Sequence, residues 1–297
     1  MSLRGSWTIP EPDPADIAVD PDPAAGPLRG LPALPVLRRE RVSATLGGTL
    51  TGFATSPDTA DGPGWQGLVA VVTDAYEVAV LDSALSRVLH HVVIDPGFSI
   101  DVSTLAGAAF LGADTLAVMS TNKSYVLLQP DVAADADREW RHFLETDGTV
   151  TELRRSRFAT VRARQMYALS LAYDDDAREL ITVGVPSPRH RRLVVSRFDR
   201  GDRILSSEFL PRVRSGLAGG DAVDMSEYVV TGAAAAEGRL YALSAAHSTL
   251  LVIDLATREL AAAYAVPGLS EPVGLGVRGT ELLVAQADGV VAVMPRP

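Results

Sequence analysis

Short apolar strands alternate with turns along almost the whole chain, and they recur in sets. The clearest set covers residues 238–244, 249–254 and 259–266, and a shorter copy follows at 281–285 and 289–293. Sets that contain only strands and recur roughly every 45–50 residues are typical of four-stranded blades arranged around an axis. The pattern of apolar and polar positions therefore predicts an all-β propeller.

The number of strand signals predicts five blades. They lie at 48–54, 67–73, 77–81 and 88–94; at 105–111, 115–120 and 124–129; at 166–173, 180–185, 193–198 and 204–210; at 228–233, 240–244, 250–255 and 260–266; and at 273–277, 282–285 and 290–294. A further strand signal, at 158–161, follows an interruption after the second set. The last set has only three strands, while 36–42 forms a spare strand at the beginning. Pairing of the spare strand with the last strand would close the ring and remove both free sheet edges. A six-bladed ring is the alternative.

Two segments depart from the strand pattern. Residues 1–34 are rich in Pro, Asp, Ala and Gly, which predicts an extended or disordered linker before a propeller over 35–297. Further along, Trp140, Phe143 and Leu144 lie at i, i+3 and i+4 after a run of acidic residues. This spacing predicts one short helix inserted in the propeller.

The C-terminal strand motifs resemble those of a known superfamily. Residues 240–243 (LYAL), 249–254 (TLLVID) and 271–275 (EPVGL) resemble the YVTN and quinoprotein-like propellers. More loosely, they are similar to the gluconolactonase and regucalcin group and to the propeller-type glutaminyl cyclases. The resemblance implies the fold and leaves function open, because propellers host catalysts, sensors and scaffolds. The lactonase ligand set includes an amide, but Asn122 is the only asparagine and lies in a different turn. The Phe-Thr-Gln-Gly signature of the cyclases is absent.

Composition excludes several classes of function. The formal net charge of −10 disfavours nucleic-acid binding, which requires many phosphate-neutralising cations. The absence of cysteine excludes disulfides, thiol catalysis and cysteine-bound zinc. No run approaches the roughly 18 apolar residues that span a bilayer, so we expect no membrane insertion.

Source and location are expectations from weaker signals. Lys123 is the only lysine beside many arginines, which indicates a GC-rich bacterial genome. Residues 1–3 resemble a cloning scar and favour a domain cut from a longer protein. We therefore expect a monomeric extracytoplasmic domain, periplasmic or secreted, of a membrane-anchored or secreted bacterial protein. A cytoplasmic location is the alternative.

Local motifs of reactive residues have structural explanations. The run 274–279 matches the dinucleotide fingerprint G-x-G-x-x-G, but strand signals lie on both sides and no helix follows. The Asp-rich turn 174–176 is typical of local hydrogen bonds to the backbone. His90 and His91 are adjacent and would point to opposite faces of a strand, and His247 is expected on the surface.

The candidate site is the channel mouth where the chain enters the innermost strands. The polar residues at those entries are Asp101, Arg164, Asp224, Glu227 and Glu271. Propellers usually bind ligands at such a mouth, and Arg164 favours a small organic anion without a cofactor. The sequence thus predicts a non-catalytic domain that binds a small organic anion or a protein partner. The alternative is a hydrolase or lyase that uses the carboxylates with a divalent cation such as Ca²⁺.

Overall fold

The computed structural model describes residues 27–57, 67–94, 104–112, 115–121, 124–130, 140–141, 159–160, 167–185, 192–199, 205–214, 217, 225 and 228–297. All regular elements in this part of the chain are β-strands. The same residues contain no helix long and apolar enough to cross a membrane.

Most strands lie where the sequence predicts them, and those at 140–141 and 212–213 are additional. They are β1 (Arg38–Arg41), β2 (Leu50–Thr55), β3 (Val69–Thr73), β4 (Glu77–Leu81), β5 (Val88–Val93), β6 (Leu105–Leu111), β7 (Thr115–Ser120), β8 (Ser124–Pro130), β9 (Trp140–Arg141), β10 (Ala159–Thr160) and β11 (Tyr167–Asp174). They continue with β12 (Glu179–Val185), β13 (Val194–Asp199), β14 (Leu205–Phe209), β15 (Arg212–Val213), β16 (Val230–Ala236), β17 (Arg239–Ser244), β18 (Thr249–Asp254), β19 (Glu259–Ala265), β20 (Pro272–Arg278), β21 (Glu281–Gln286) and β22 (Val290–Pro295).

These strands form five sheets, and each sheet is one blade of a propeller. Blade 1 has the order β2-β3-β4-β5, blade 2 runs from β6 to β8 with β9 and β10, and blade 3 is β11-β12-β13-β14. Blade 4 runs from β16 to β19, with β15 added in parallel to β19, and blade 5 is β20-β21-β22-β1. The first strand of each blade contacts the first strands of both neighbouring blades, so these five inner strands form a ring. The prediction of five blades is confirmed.

The N-terminal strand closes the ring as predicted. β1 pairs antiparallel with β22, with Arg38 opposite Val293 and Arg41 opposite Val290. β1 is the outermost strand of blade 5, so the last blade is built from both ends of the chain. This pairing covers the edge of β22, as the strand count in the sequence required.

The hydrophobic core lies between the blades. In the described part of the chain, five clusters of buried side chains each join two neighbouring blades. Val183 of blade 3 and Leu251 of blade 4 share one cluster, while Val71 of blade 1 and Leu283 of blade 5 share another. The inner strands are thus buried on both faces, which explains continuous apolar runs such as 105–111.

Two segments extend or correct the sequence interpretation. Residues 1–26 lie outside the described residues, whereas the end of the predicted linker runs along blade 4, where Leu28 and Leu34 are buried. The helix predicted around Trp140 is wrong at the two residues described there, because Trp140 and Arg141 form strand β9 against β8. The other two members of that apolar spacing, at 143 and 144, lie outside the described residues.

Bulges at equivalent positions bring the inner strands close together. In each blade the pairing of the first two strands shifts register at one place, and the bulge contains Gly52, Gly107, Ser170, Gly232 or Gly274. A Cβ on Gly274 would lie 2.6 Å from the backbone nitrogen of Phe53 in β2, and one on Gly232 would lie 2.8 Å from the carbonyl carbon of Gly274. Four of the five bulges therefore carry glycine, because the backbones of adjacent inner strands touch there.

Candidate functional site

A cavity of about 540 Å³ occupies the channel at the end where the inner strands leave the ring. Its lining includes residues from all five inner strands: 54–55 of β2, 108–110 of β6, 171–174 of β11, 233–236 of β16 and 275–277 of β20. These residues begin one or two positions after the bulges. The cavity therefore widens from the level at which the inner strands touch toward their C-terminal ends.

Small side chains keep this part of the channel open. Residues 233–236 are four consecutive alanines in β16, and Gly276 lies in β20. Phe110 and Tyr173 also border the cavity, but their side chains are almost fully buried in the clusters that join blade 2 to its two neighbours. Each inner strand pairs with one neighbour within its own sheet, so its other edge faces the channel. The wall thus combines apolar side chains with edges of peptide backbone.

A threonine hydroxyl joins two of these edges where blade 1 meets blade 5. Thr55 Oγ1 donates a hydrogen bond to the carbonyl oxygen of Val277 at 2.7 Å and accepts one from the Val277 amide at 2.9 Å. This residue therefore satisfies both backbone groups of its partner. Where blade 4 meets blade 5, Thr231 Oγ1 donates a hydrogen bond to the carbonyl oxygen of Pro272.

An ion-pair network supports one side of the cavity. Asp174, the last residue of β11, lines the cavity and is 7% exposed. Its Oδ2 lies 2.9 Å from Nη2 of Arg197 in β13, and the same guanidinium pairs with Glu179 in β12. Removal of the cation would leave two partly buried carboxylates near each other, so the network fixes the turn after β11.

Charged side chains surround the mouth. Asp175 and Asp176 lie on the exposed turn between β11 and β12, and Glu237 lies on the turn between β16 and β17. Arg296, after the last strand, pairs with Glu237 at 2.8 Å and also lines the cavity. Glu237 and Gly238 both have positive φ, at 52° and 71°, as a two-residue type I′ hairpin requires.

One of the five site residues predicted from sequence is described, and it lies at the other end of the inner strands. Asp101, Arg164, Asp224 and Glu227 lie outside the described residues. Glu271 is described: it is exposed, has a φ of 45°, and its carbonyl oxygen accepts a hydrogen bond from the Ala287 amide. It precedes β20 and is not among the residues that line the exit cavity. The predicted mouth therefore stays a prediction.

Two buried aromatic residues lie close to that entry end in blade 4. Tyr228 is fully buried, and its hydroxyl accepts a hydrogen bond from the Leu28 amide at 3.1 Å. Burial raises the pKa of Tyr228 to about 12. His247 meets its ring edge-on at 4.9 Å between centroids and is 4% exposed. The expectation that His247 lies on the surface is wrong, because the β17–β18 turn folds inward over Tyr228.

Within the described ranges, no three His, Asp or Glu side chains come together in a way that could hold a metal ion. The acidic turn 174–176 illustrates why: its first carboxylate pairs with Arg197, while the next two lie on the exposed part of the turn.

The sequence analysis did not identify the exit cavity. The alanines of β16 carry no chemical signal, and Arg296 lies in the last two residues of the chain. The one available signal was the glycine shared by the inner strands at 52, 107, 232 and 274. These glycines mark the height along the channel at which the inner strands touch, and the residues that follow them line the cavity.

Comparison with known proteins supports the fold. The glutaminyl cyclase of Myxococcus xanthus is similar in structure, with a TM-score of 0.54 and 12% identity over 88% of this chain and 95% of that chain. Sqt1 of Saccharomyces cerevisiae has a TM-score of 0.41 and 11% identity over 85% of this chain and 59% of its own. No protein-family model and no curated protein matches the sequence. At such identities the first likeness shows a β-propeller fold alone, and the narrower resemblance to YVTN or regucalcin-like proteins stays a prediction.

Proposed function

We propose that this propeller is a non-catalytic binding domain that takes a small molecule into the exit cavity of its channel. The observation that carries the proposal is the cavity of about 540 Å³ bounded by all five inner strands. Ligand sites in proteins typically enclose about 300–1,000 Å³ between apolar walls with a few polar groups. The alanines of β16, the backbone edges of the inner strands and the charged side chains at the mouth fit that description.

Rigid walls favour binding without rearrangement. The inner strands touch at their bulges, and Thr55 and Thr231 bridge three of them by hydrogen bonds. A ligand that enters would meet a cavity already formed, so little ordering of the protein would oppose binding.

The other expectations from sequence remain proposals. An organic anion at the entry mouth, held by Arg164, and the metal-dependent hydrolase both depend on residues outside the described part of the chain. The extracytoplasmic location, the monomeric state and a protein partner also stay predictions.

A variant that blocks the mouth tests the proposed site. Thr280 is exposed and lines the cavity, so Thr280→Trp should obstruct the mouth without disturbing the core. Thr257 is exposed on the β18–β19 turn outside the cavity, and Thr257→Trp adds the same side chain as a control. Binding would be followed by saturation-transfer NMR with benzylamine, benzyl alcohol and phenylacetate as probes.

We expect at least one of these probes to bind the parent and the control, and to bind Thr280→Trp at least about tenfold more weakly. Equal binding to all three proteins would place the ligand elsewhere and contradict the proposal. Absence of binding by every probe at millimolar concentration would also contradict it.

A further inference from the structure

We propose that the exit cavity binds a small neutral alcohol, whose hydroxyl group bridges the backbone N–H and C=O of Ala235 in β16. This inference rests on the proposed function and names the class of ligand. It comes from a comparison of two seams, the lines along which the edges of neighbouring inner strands meet. One seam is bridged by a threonine hydroxyl, and the next seam has valine at the equivalent position.

The seam between blades 1 and 5 shows how a hydroxyl group satisfies the edge of an inner strand. Thr55 Oγ1 donates a hydrogen bond to the Val277 carbonyl oxygen at 2.7 Å and accepts one from the Val277 amide at 2.9 Å. A hydroxyl can do both because its oxygen carries one donor and two acceptor sites. A single oxygen atom therefore occupies both backbone groups of Val277.

In blade 4, Ala235 holds the position that Val277 holds in blade 5. Each residue comes directly before the last pair of a hairpin that is closed by a two-residue turn. Each also lies three positions after the glycine of its bulge, Gly232 in β16 and Gly274 in β20. Both residues line the exit cavity. The two strand edges can therefore be compared residue by residue.

The hydrogen-bond register shows that the backbone of Ala235 faces away from its own sheet. The Leu255 amide donates to the Gly238 carbonyl oxygen, so the backbone groups of Arg239 point away from β18 and toward β16. Arg239 lies opposite Ala236. Because the bonding direction alternates along an antiparallel strand, Ala236 bonds to β17 while Ala235 directs its N–H and C=O to the other side. That side is the channel edge of β16.

The side chain that meets this edge cannot form a hydrogen bond. Val277 packs against the same cluster as Ala234 and Ala236, the two neighbours of Ala235, and so takes the place that Thr55 takes one seam further on. Its methyl groups neither donate nor accept. A ligand that covers Ala235 must therefore supply both a donor and an acceptor, because a peptide group that loses water without a partner costs free energy. An alcohol supplies both with one atom, whereas an ammonium group only donates and a carboxylate only accepts.

An isosteric variant tests the backbone geometry without a ligand. Val277→Thr places a hydroxyl next to Ala235, and Val88→Thr makes the same change at a half-buried position of β5 outside the cavity. Amide hydrogen exchange by NMR should be fast for Ala235 in the parent and in Val88→Thr. In Val277→Thr it should become about as slow as exchange of the Val277 amide in the parent. Slow exchange of Ala235 in the parent, or fast exchange in Val277→Thr, would overturn the proposal.

Two neutral probes test the ligand class. Benzyl alcohol donates and accepts, whereas benzyl methyl ether has an acceptor and no donor. NMR titration of the parent should show benzyl alcohol binding about tenfold more tightly than the ether. Val277→Thr should weaken benzyl alcohol about tenfold, because its own hydroxyl occupies Ala235, and should leave the ether unchanged. Val88→Thr should change neither. An equal loss of both probes in Val277→Thr would indicate a changed cavity shape and would overturn the proposal.

The outcomes distinguish this inference from the proposed function. If the ether binds as tightly as benzyl alcohol and both are lost in Thr280→Trp, the alcohol class is overturned and the cavity remains a ligand site. The same holds if Val277→Thr binds benzyl alcohol as the parent does. Benzyl alcohol binding that survives in Thr280→Trp would overturn both proposals, since the probe would then bind outside the cavity.

Discussion

The closure of the ring by the N-terminal strand allows a quantitative test by truncation. Deletion of residues 1–43 removes β1 and the segment before it, and leaves β22 as an open edge of blade 5. Deletion of 1–26 is the matched control, because it ends before the first described residue. We expect the shorter deletion to change stability little and the longer one to prevent folding to a monomer.

The magnitude follows from side chains and backbone bonds that only the longer deletion removes. Leu28 and Leu34 are 1% and 6% exposed, and burial of each contributes about 2 kcal/mol. Five backbone hydrogen bonds outside the β1–β22 pairing also disappear, and each contributes about 1 kcal/mol: Leu34 N to Ala265 O, Ala265 N to Pro32 O, Leu37 N to Val293 O, Val42 N to Gly289 O, and Ser43 N to Leu85 O. The loss of about 9 kcal/mol, before the β1–β22 pairing itself is counted, equals the whole stability of many domains.

Urea denaturation and size-exclusion chromatography with light scattering would measure the effect. The 27–297 protein should be monomeric with a cooperative transition. The 44–297 protein should aggregate or lack the transition, because an unpaired β22 exposes a row of backbone groups next to buried apolar residues. A synthetic peptide of residues 27–43, added in excess, should restore the transition in part. A monomeric 44–297 protein with the urea midpoint of 27–297 would refute the closure.

Three further predictions concern single residues. Gly274→Ala should lower the free energy of unfolding by about 2 kcal/mol, because the new Cβ would meet the backbone of β2. Gly112 has a φ of 65° and open space around it, so Gly112→Ala should cost about 1 kcal/mol from backbone strain alone. Equal urea midpoints for the two variants would contradict this prediction. Tyr228→Phe should cost about 1–2 kcal/mol by leaving the Leu28 amide without its acceptor, and an unchanged melting temperature would contradict that role. The Arg38 and Arg278 guanidinium groups lower the pKa of Glu281 from 4.5 to about 2, so its stabilisation is complete above pH 4.5 and disappears as pH falls toward 2. The free energy of unfolding of the parent should exceed that of Glu281→Gln by about 1 kcal/mol at pH 7. A difference in unfolding free energy that stays constant down to pH 2.5 would contradict the prediction.

The sequence by itself determined most of the strands and the closure of the ring. Strand signals arise from short apolar runs and turn residues, which are local, so the predicted strands at 105–111 and 115–120 coincide with β6 and β7. The closure of the ring followed from the number of strands. The last blade lacks one strand, and the N-terminal segment supplies a strand that has no other place. The fold could therefore be predicted without any contact being known.

The inserted helix shows the limit of local patterns. Trp140, Phe143 and Leu144 fit a helical spacing, but three apolar residues over five positions are also compatible with other structures. The register of Trp140 opposite Pro130 and Arg141 opposite Gln129 depends on where β8 lies, and the sequence does not give that position.

Only the tertiary structure decided where the exit cavity lies and which residues surround it. Its lining comes from the five inner strands, the turns that follow them and Arg296, and ten of its 24 residues are alanine or glycine. In the sequence, Asp174 is part of an ordinary acidic turn. The structure places it beside the channel and beside Arg197, which is 23 positions away in the chain. A cavity on the axis of a ring depends on how closely all the inner strands approach one another. That distance is set by bulges and glycines in several blades at once, so no single segment of the sequence contains it.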